Sequence, residues 1–257
     1  MRYAFSTLGV PGMPIPDVVQ LAADTGYQGV ELRAHPEEPV HPGIPVRERA
    51  AVAGEFERAG VEILTVCGYA RVAAADDERV SEEIDELLRL ARDLGAPYVR
   101  VFPGGGDQDP AVADATAARR LGAAAETAAG LGVRILLETH DSHRTGAAVS
   151  RLLGPVGHKH AGALWDVLHP WLAGEDPATT HAALAPFLGY VQVKDVASAE
   201  DHTPVALGTG VLPLAECLAT LTEETWLCWE YEKRWHPQAA ELPRLLAPGR
   251  EYLENLA

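Results

Sequence analysis

Four short apolar stretches in the second half of the chain each end at or near a side chain that can bind a cation. They are RILLE with Glu138, GALWD with Asp166, YVQVKD with Gln192 near its end, and WLCWE with Glu230. Apolar runs of this length, bounded by polar, Gly or Pro residues, are typical of parallel strands buried on both faces. A buried carboxylate is costly unless it is paired, hydrogen-bonded or metal-bound, so carboxyl and amide groups at equivalent strand ends favour a shared cation.

Each acid also has a simpler explanation when it is taken alone. A single Asp or Glu at a strand end commonly caps the next helix or forms a salt bridge. The steps from 138 to 166, 166 to 192 and 192 to 230 are 28, 26 and 38 residues, a strand-to-helix spacing that favours one metal site. Oxygen ligands with one amide suit Mn²⁺ best, with Mg²⁺, Co²⁺ or Zn²⁺ as alternatives.

The whole chain repeats a strand-helix unit. Strands are predicted at 3–8, 29–33, 61–69 and 97–102 and in RILLETH, GALWDVLHP, YVQVKD and WLCWEYE; helices are predicted at 17–24, 46–59, 76–94, 110–131, 145–153, 177–187, 213–222 and 239–256. Strict alternation without a linker or composition break predicts an α/β fold with a parallel sheet. Eight units of about 30 residues predict a (β/α)8 TIM barrel spanning 1–257 as one domain, with a doubly wound open sheet as the alternative.

In such a barrel the loops after the strands converge on one mouth, where the active site lies. His169 and Lys194 closely follow Asp166 and Gln192, which makes them candidates for substrate contact. The alternatives are a helix-start role for His169 and a salt bridge from Lys194 to Asp195. Further substrate-facing candidates near strand ends are Glu31, Arg33, His35, Arg100, His140, His143, Arg144, Trp235 and His236.

Composition limits the classes of function. Thirty-seven acidic and 21 basic residues give a formal net charge of -16, which argues against nucleic acid and anionic membrane surfaces as partners. No apolar run approaches about 18 residues, and the first residues lack the pattern of an export signal. Cys67, Cys217 and Cys228 have no CxxC spacing and are expected to pack as small hydrophobes in a reducing cytoplasm.

The motifs and their order resemble the xylose isomerase-like barrel superfamily, in the branch of sugar-phosphate isomerases and epimerases. The likeness runs through GVELR, LLETH, WDVLHP, VQVKD, LGTG and WEYEKRWHP and covers nearly the whole chain. The resemblance implies one divalent ion on Glu138, Asp166, Gln192 and Glu230, with Glu138 and Glu230 also acting as the acid/base pair. It implies that His169 and Lys194 face the substrate. Many members have histidine where Gln192 stands, so looser metal binding is expected here.

The resemblance implies an isomerase or epimerase of a sugar, keto-sugar or related polyol that works through an enediolate, and it leaves a homo-oligomer open. A dehydratase or lyase acting on a keto-inositol or 3-keto sugar is the alternative, because it uses the same enediolate. An apurinic endonuclease of this fold needs additional histidines on strands three and four and a basic groove, which this chain lacks. A non-catalytic sugar-binding protein is disfavoured because all four ligand positions are filled.

Overall fold

The computed structural model describes residues 1–256. Eight parallel strands close into a barrel in chain order, with the first strand hydrogen-bonded to the last. The strands are β1 Arg2–Ser6, β2 Gly29–Arg33, β3 Glu62–Arg71, β4 Tyr98–Phe102, β5 Arg134–Glu138, β6 Ala161–Asp166, β7 Leu188–Val193 and β8 Trp226–Trp229. The predicted (β/α)8 barrel is confirmed, and the open-sheet alternative is wrong.

Helices cover the outside of this barrel. They are α1 Ile15–Thr25, α2 Val46–Ala59, α3 Asp77–Leu94, α4 Pro110–Leu131, α5 Gly146–Val156, α6 Leu168–Leu172, α7 Pro177–Leu184, α8 Leu214–Leu218 and α9 Leu246–Leu256. The limits of α2 and α4 match the predicted ones. Helix α3 begins after Asp76, which caps it through the Arg79 N–H, and ends at Gly95, whose φ of 74° suits glycine. Within residues 1–256, no helix has the length and apolarity to cross a membrane.

Three predicted elements differ most from those observed, and the limits of several others shift by one to three residues. The stretch GALWDVLHP turns into α6 straight after β6, because Asp166 Oδ1 accepts the N–H of Leu168 at 2.8 Å. The predicted helix at 213–222 shortens to α8. The predicted closing helix is split into a 3-10 turn at Leu242–Arg244 and α9, because Pro243 in its first part disfavours a continuous helix.

The inside of the barrel is apolar toward the amino ends of the strands. A separate buried cluster there consists of Ala4, Leu64, Leu136, Leu164, Tyr190, Trp226 and Cys228. Alternate residues of a strand share a face, so the side chains two positions further on also point inward. These positions are Glu138 on β5, Asp166 on β6, Gln192 on β7 and Glu230 directly after β8. The pleat of the strands therefore places four polar groups next to the apolar cluster, on the side of the carboxyl ends of the strands.

Candidate active site

The four predicted ligand residues lie together at the carboxyl ends of neighbouring strands. Their exposed fractions are 2% for Glu138, 0% for Asp166 and Gln192, and 6% for Glu230. Asp166 and Gln192 are opposite each other in the ladder between β6 and β7. Gln192 Nε2 donates to Glu230 Oε1 at 3.1 Å. Polar groups that are costly to bury are therefore gathered in one mouth, as a shared function requires.

Lys194 lies among three carboxylates of this mouth. Its Nζ is 2.7 Å from Asp166 Oδ2 and 2.8 Å from Glu232 Oε1, and it also hydrogen-bonds to Glu230 Oε2. Burial alone would lower the pKa of Lys194, but these carboxylates outweigh it and raise that pKa well above its usual value. Lys194 is therefore a fixed ammonium, which is unsuited to imine formation.

The sequence reasoning missed Glu232, although its signal is present in the motif WEYE. Glu232 lies two positions after Glu230 and contacts the same ammonium. Burial would raise the pKa of Glu232, but Lys194 lowers it. Both glutamates follow the end of β8 and both contact the Lys194 ammonium.

Arg100 on β4 lies beside Glu138. Arg100 is 4% exposed, and its Nε lies 3.3 Å from Glu138 Oε2 without the alignment of a hydrogen bond. In the part of the chain that the structure describes, Nε and Nη1 of Arg100 have no hydrogen-bond acceptor. Burial raises the pKa of Glu138 to about 7, against the opposing charge of Arg100. Arg100 thus has free donors next to a carboxyl that titrates near neutral pH.

Two histidines cover the side of the mouth near Glu138. The rings of His140 and His169 are 4.2 Å apart, and their side chains are 30% and 18% exposed. His140 Nδ1 lies 2.9 Å from Asp141 Oδ1. Burial lowers the pKa of His169 to about 4, so its ring is neutral. Among residues 1–256, the group of acidic or histidine side chains whose ligand atoms all lie within 4.8 Å of one another is Glu138, His140 and His169, and Asp166 and Glu230 do not join it.

Arg33 has partners within the chain, whereas the sequence reasoning named it as a substrate contact. Its Nη1 donates to Glu38 Oε1 and its Nε to the Tyr69 hydroxyl, both at 2.6 Å. Glu38 Oε2 accepts the N–H of Gly12 at 2.8 Å, so the pair joins the loops after β1 and β2. Trp235 stands 5.5 Å from the Arg33 guanidinium and is 52% exposed at the rim.

His143 and Asp195 hold loops in place by hydrogen bonds. His143 is buried and hydrogen-bonds through Nδ1 to Ser142 and through Nε2 to Asp114 at 2.8 Å, which ties the loop after β5 to α4. Asp195 accepts the N–H groups of Gly208 and Gly210 and so holds the LGTG loop. Asp195 therefore stabilises a loop, and Lys194 pairs with Asp166, Glu230 and Glu232 instead of with Asp195. The remaining rim candidates are Arg144, which donates to Asp141 O, His35, which packs on Tyr69, and His236, which contacts Thr203.

The residues of the mouth fit a divalent cation. Acidic side chains outnumber basic ones: Glu31, Glu138, Asp166, Glu230 and Glu232 surround Lys194 and Arg100. Among residues 1–256, the buried atoms Glu138 Oε2 and Gln192 Oε1 find no hydrogen-bond donor. Unpartnered oxygens in a negatively charged pocket are the ligands that hard divalent ions prefer. Glu138, His140 and His169 together offer oxygen and nitrogen ligands, which a borderline ion such as Zn²⁺ can also bind.

Comparison with known proteins supports the resemblance. A 3-dehydroshikimate dehydratase from Bacillus anthracis is 27% identical over 240 residues, which are 87% of this chain and 85% of that protein. The crystal structure of the probable 3-DHS dehydratase AsbF from Bacillus anthracis superposes with a TM-score of 0.83 at 20% identity, covering 99% of both chains. D-psicose 3-epimerase from Clostridium cellulolyticum H10 gives a TM-score of 0.84 at 14% identity, over 100% of this chain and 99% of the other.

A structure of the IOLI protein with a bound zinc atom has a TM-score of 0.79 at 17% identity, over 96% of this chain and 95% of that chain. These structural likenesses concern the fold. The family model of the xylose isomerase-like TIM barrel matches residues 19–256, almost the whole chain. The protein therefore belongs to the xylose isomerase-like TIM barrel family.

Proposed function

We propose that this protein is a metal-dependent dehydratase that removes water from a hydroxylated cyclic keto acid of the 3-dehydroshikimate type. The similarity to a dehydratase over most of both chains favours the lyase alternative over the isomerase expected first from the sequence. The observation that carries the proposal is Arg100, a buried guanidinium with free donors beside Glu138. Such a group matches a substrate carboxylate, which a neutral ketose lacks.

The reaction requires two proton movements. A proton leaves the carbon next to the carbonyl, and the hydroxyl one carbon further on departs with a proton as water. Glu138 is placed to take the first proton, because its Oε2 lies in the mouth without a hydrogen-bond donor among residues 1–256. Glu230, whose pKa is raised by burial, is placed to supply the second proton, and the Lys194 ammonium hydrogen-bonds to its Oε2.

The residues that would hold the cation are Glu138, Asp166, Gln192 and Glu230, with Mn²⁺ as the proposed ion. When bound, the ion supplies Lewis-acid polarisation of the substrate carbonyl. His140 and His169 line the same mouth and are placed to hydrogen-bond substrate hydroxyls, with Asp141 orienting the His140 ring. The buried free cysteines suit a reducing compartment such as the cytoplasm.

The second candidate function is epimerisation or isomerisation of a ketose. The arrangement that favours it is the pair Glu138 and Glu230, two buried carboxylates in one mouth whose pKa values are both raised by burial. One carboxylate that removes a proton and another that returns one is the requirement of an epimerase. Arg100 Nε and Nη1 have no hydrogen-bond acceptor among residues 1–256, and a neutral ketose has no carboxylate to supply one.

The experiment is a substrate panel with the purified protein loaded with Mn²⁺ or Mg²⁺. Consumption of 3-dehydroshikimate, followed by the ultraviolet absorbance of the aromatic product, is expected, whereas D-psicose and D-fructose should remain unchanged. Arg100→Gln should raise KM for the keto acid by about 10- to 100-fold, because one charge-assisted pair contributes about 1.5–3 kcal/mol. Arg100→Lys, which keeps the charge, is the matched control. Turnover of a ketose with none of the keto acid would replace this proposal by the epimerase.

A further inference from the structure

Gln192 is held by two hydrogen bonds from the same nitrogen. Its Nε2 donates to Glu31 Oε2 at 2.9 Å and to Glu230 Oε1 at 3.1 Å. Its Oε1 is buried and, among residues 1–256, receives no hydrogen bond. An amide has two donors on nitrogen and acceptors only on oxygen, so its orientation follows from its neighbours. Both N–H groups of Gln192 are used by carboxylates, and the oxygen is left free.

Glu31 on β2 is the more fully buried of these two carboxylates. It is 0% exposed, against 6% for Glu230. The same Oε2 that accepts from Gln192 also accepts from the Tyr190 hydroxyl at 2.5 Å. This oxygen already accepts from the Tyr190 hydroxyl, and it is the nitrogen end of Gln192 that faces it and donates to it. The sequence reasoning named Glu31 as a substrate contact, whereas the structure points its Oε2 at Tyr190 and Gln192.

We infer that Glu31 is a positioning residue, which holds the Gln192 amide so that Oε1 rather than Nε2 is presented to the cation. The inference rests on the metal site of the proposed function and applies to this chain because it has an amide at this position. A flipped amide would direct N–H dipoles at a positive ion, which would remove one ligand and add repulsion. Partners that orient ligands in this way typically contribute 10- to 100-fold in metal affinity.

The test measures Mn²⁺ affinity without substrate, from the loss of the electron paramagnetic resonance signal of free Mn²⁺ on titration. Glu31→Leu should weaken binding by 10- to 100-fold. Tyr190→Phe, which keeps both hydrogen bonds of the Gln192 amide, is the matched control and should stay within about twofold of wild type. Thermal unfolding of each metal-free variant separates lost affinity from lost folding.

A double-mutant cycle with Gln192→Ala decides whether Glu31 acts through the amide. If it does, Glu31→Leu should weaken Mn²⁺ binding in the wild-type background and change it little once the amide is gone. Equal losses in both backgrounds would overturn the inference, because Glu31 would then act by its own charge. Should Glu31→Leu fail to fold, Glu31→Gln replaces it in the cycle. We then expect a severalfold loss of Mn²⁺ affinity in the wild-type background, and equal losses in both backgrounds would again overturn the inference.

The outcomes also separate this inference from the proposed reaction. Suppose that the wild-type protein binds Mn²⁺ and that Glu31→Leu weakens binding only when the Gln192 amide is present, but that the cyclic keto acid is not turned over. This result would overturn the proposed reaction and support the role of Glu31. Wild-type affinity in a folded Glu31→Leu variant would overturn the role of Glu31 and leave the reaction standing. A wild-type protein that binds no divalent ion would overturn both.

Discussion

Replacing Lys194 by methionine tests how the mouth is held together. Its ammonium lies 2.7 Å from Asp166 and 2.8 Å from Glu232 and also contacts Glu230. At an effective dielectric constant of about 20, each contact at this distance corresponds to a gross attraction of about 6 kcal/mol. Desolvation offsets most of this attraction, but removing one partner of a buried pair still costs about 3–5 kcal/mol, because the remaining charges are left unpaired.

We therefore expect Lys194→Met to lower the free energy of unfolding of the metal-free protein by about 3–5 kcal/mol in urea titrations at pH 7. Lys159→Met is the matched control, since Lys159 is exposed and should change the stability by less than about 0.5 kcal/mol. Added Mn²⁺ should restore part of the loss, because a bound cation neutralises the same carboxylates and stabilises the folded state. A folded Lys194→Met protein within about 1 kcal/mol of wild type would show that the ion pairs at this site have little net effect.

Three further predictions concern the carboxylates. Asp166→Asn should lose bound metal and activity together, which metal analysis after dialysis and the dehydratase assay will measure; full retention of both would exclude Asp166 as a ligand. Glu138→Gln should reduce turnover by about 10²–10⁴-fold with a smaller change in KM, and a near wild-type rate would refute its role as base. Glu138 should contribute stability to the metal-free protein that is lost as pH rises from about 4.5 to about 7, because its pKa is about 7 when folded and the folded state then binds the extra proton. The shift corresponds to about 3 kcal/mol, and urea titrations should show that Glu138→Gln lacks this pH dependence.

Local pattern in the sequence was sufficient for the fold. The helices predicted at 46–59 and 110–131 rest on signals that neighbouring residues create among themselves, and the structure places them within the same limits. Where a predicted element was wrong, a local hydrogen bond or a proline decided its limits. The stretch after β6 was read as extended, yet Asp166 accepts the Leu168 N–H and starts a helix.

The partners of the polar side chains were less predictable. Arg33 was expected to face the substrate, but it is buried against Glu38 and Tyr69, the second of which lies on another strand. Lys194 and Glu232 are 38 residues apart in sequence and 2.8 Å apart in space. No sequence spacing indicates such a pair, because it depends on which strand ends become neighbours when the barrel closes.

The sequence by itself determined which polar side chains gather at one end of the barrel. The period of two along each strand and the repeat of strand and helix place Glu138, Asp166, Gln192 and Glu230 on the inner face at one end of the barrel, whatever their neighbours are. Only the tertiary structure decided the state of these groups. Closure of the barrel brings Glu31 beneath Gln192, which leaves the amide oxygen free, and brings Arg100 beside Glu138 in a buried site. The orientation of an amide and the pKa of a carboxyl depend on atoms within a few ångströms, and those atoms come from strands far apart in the chain.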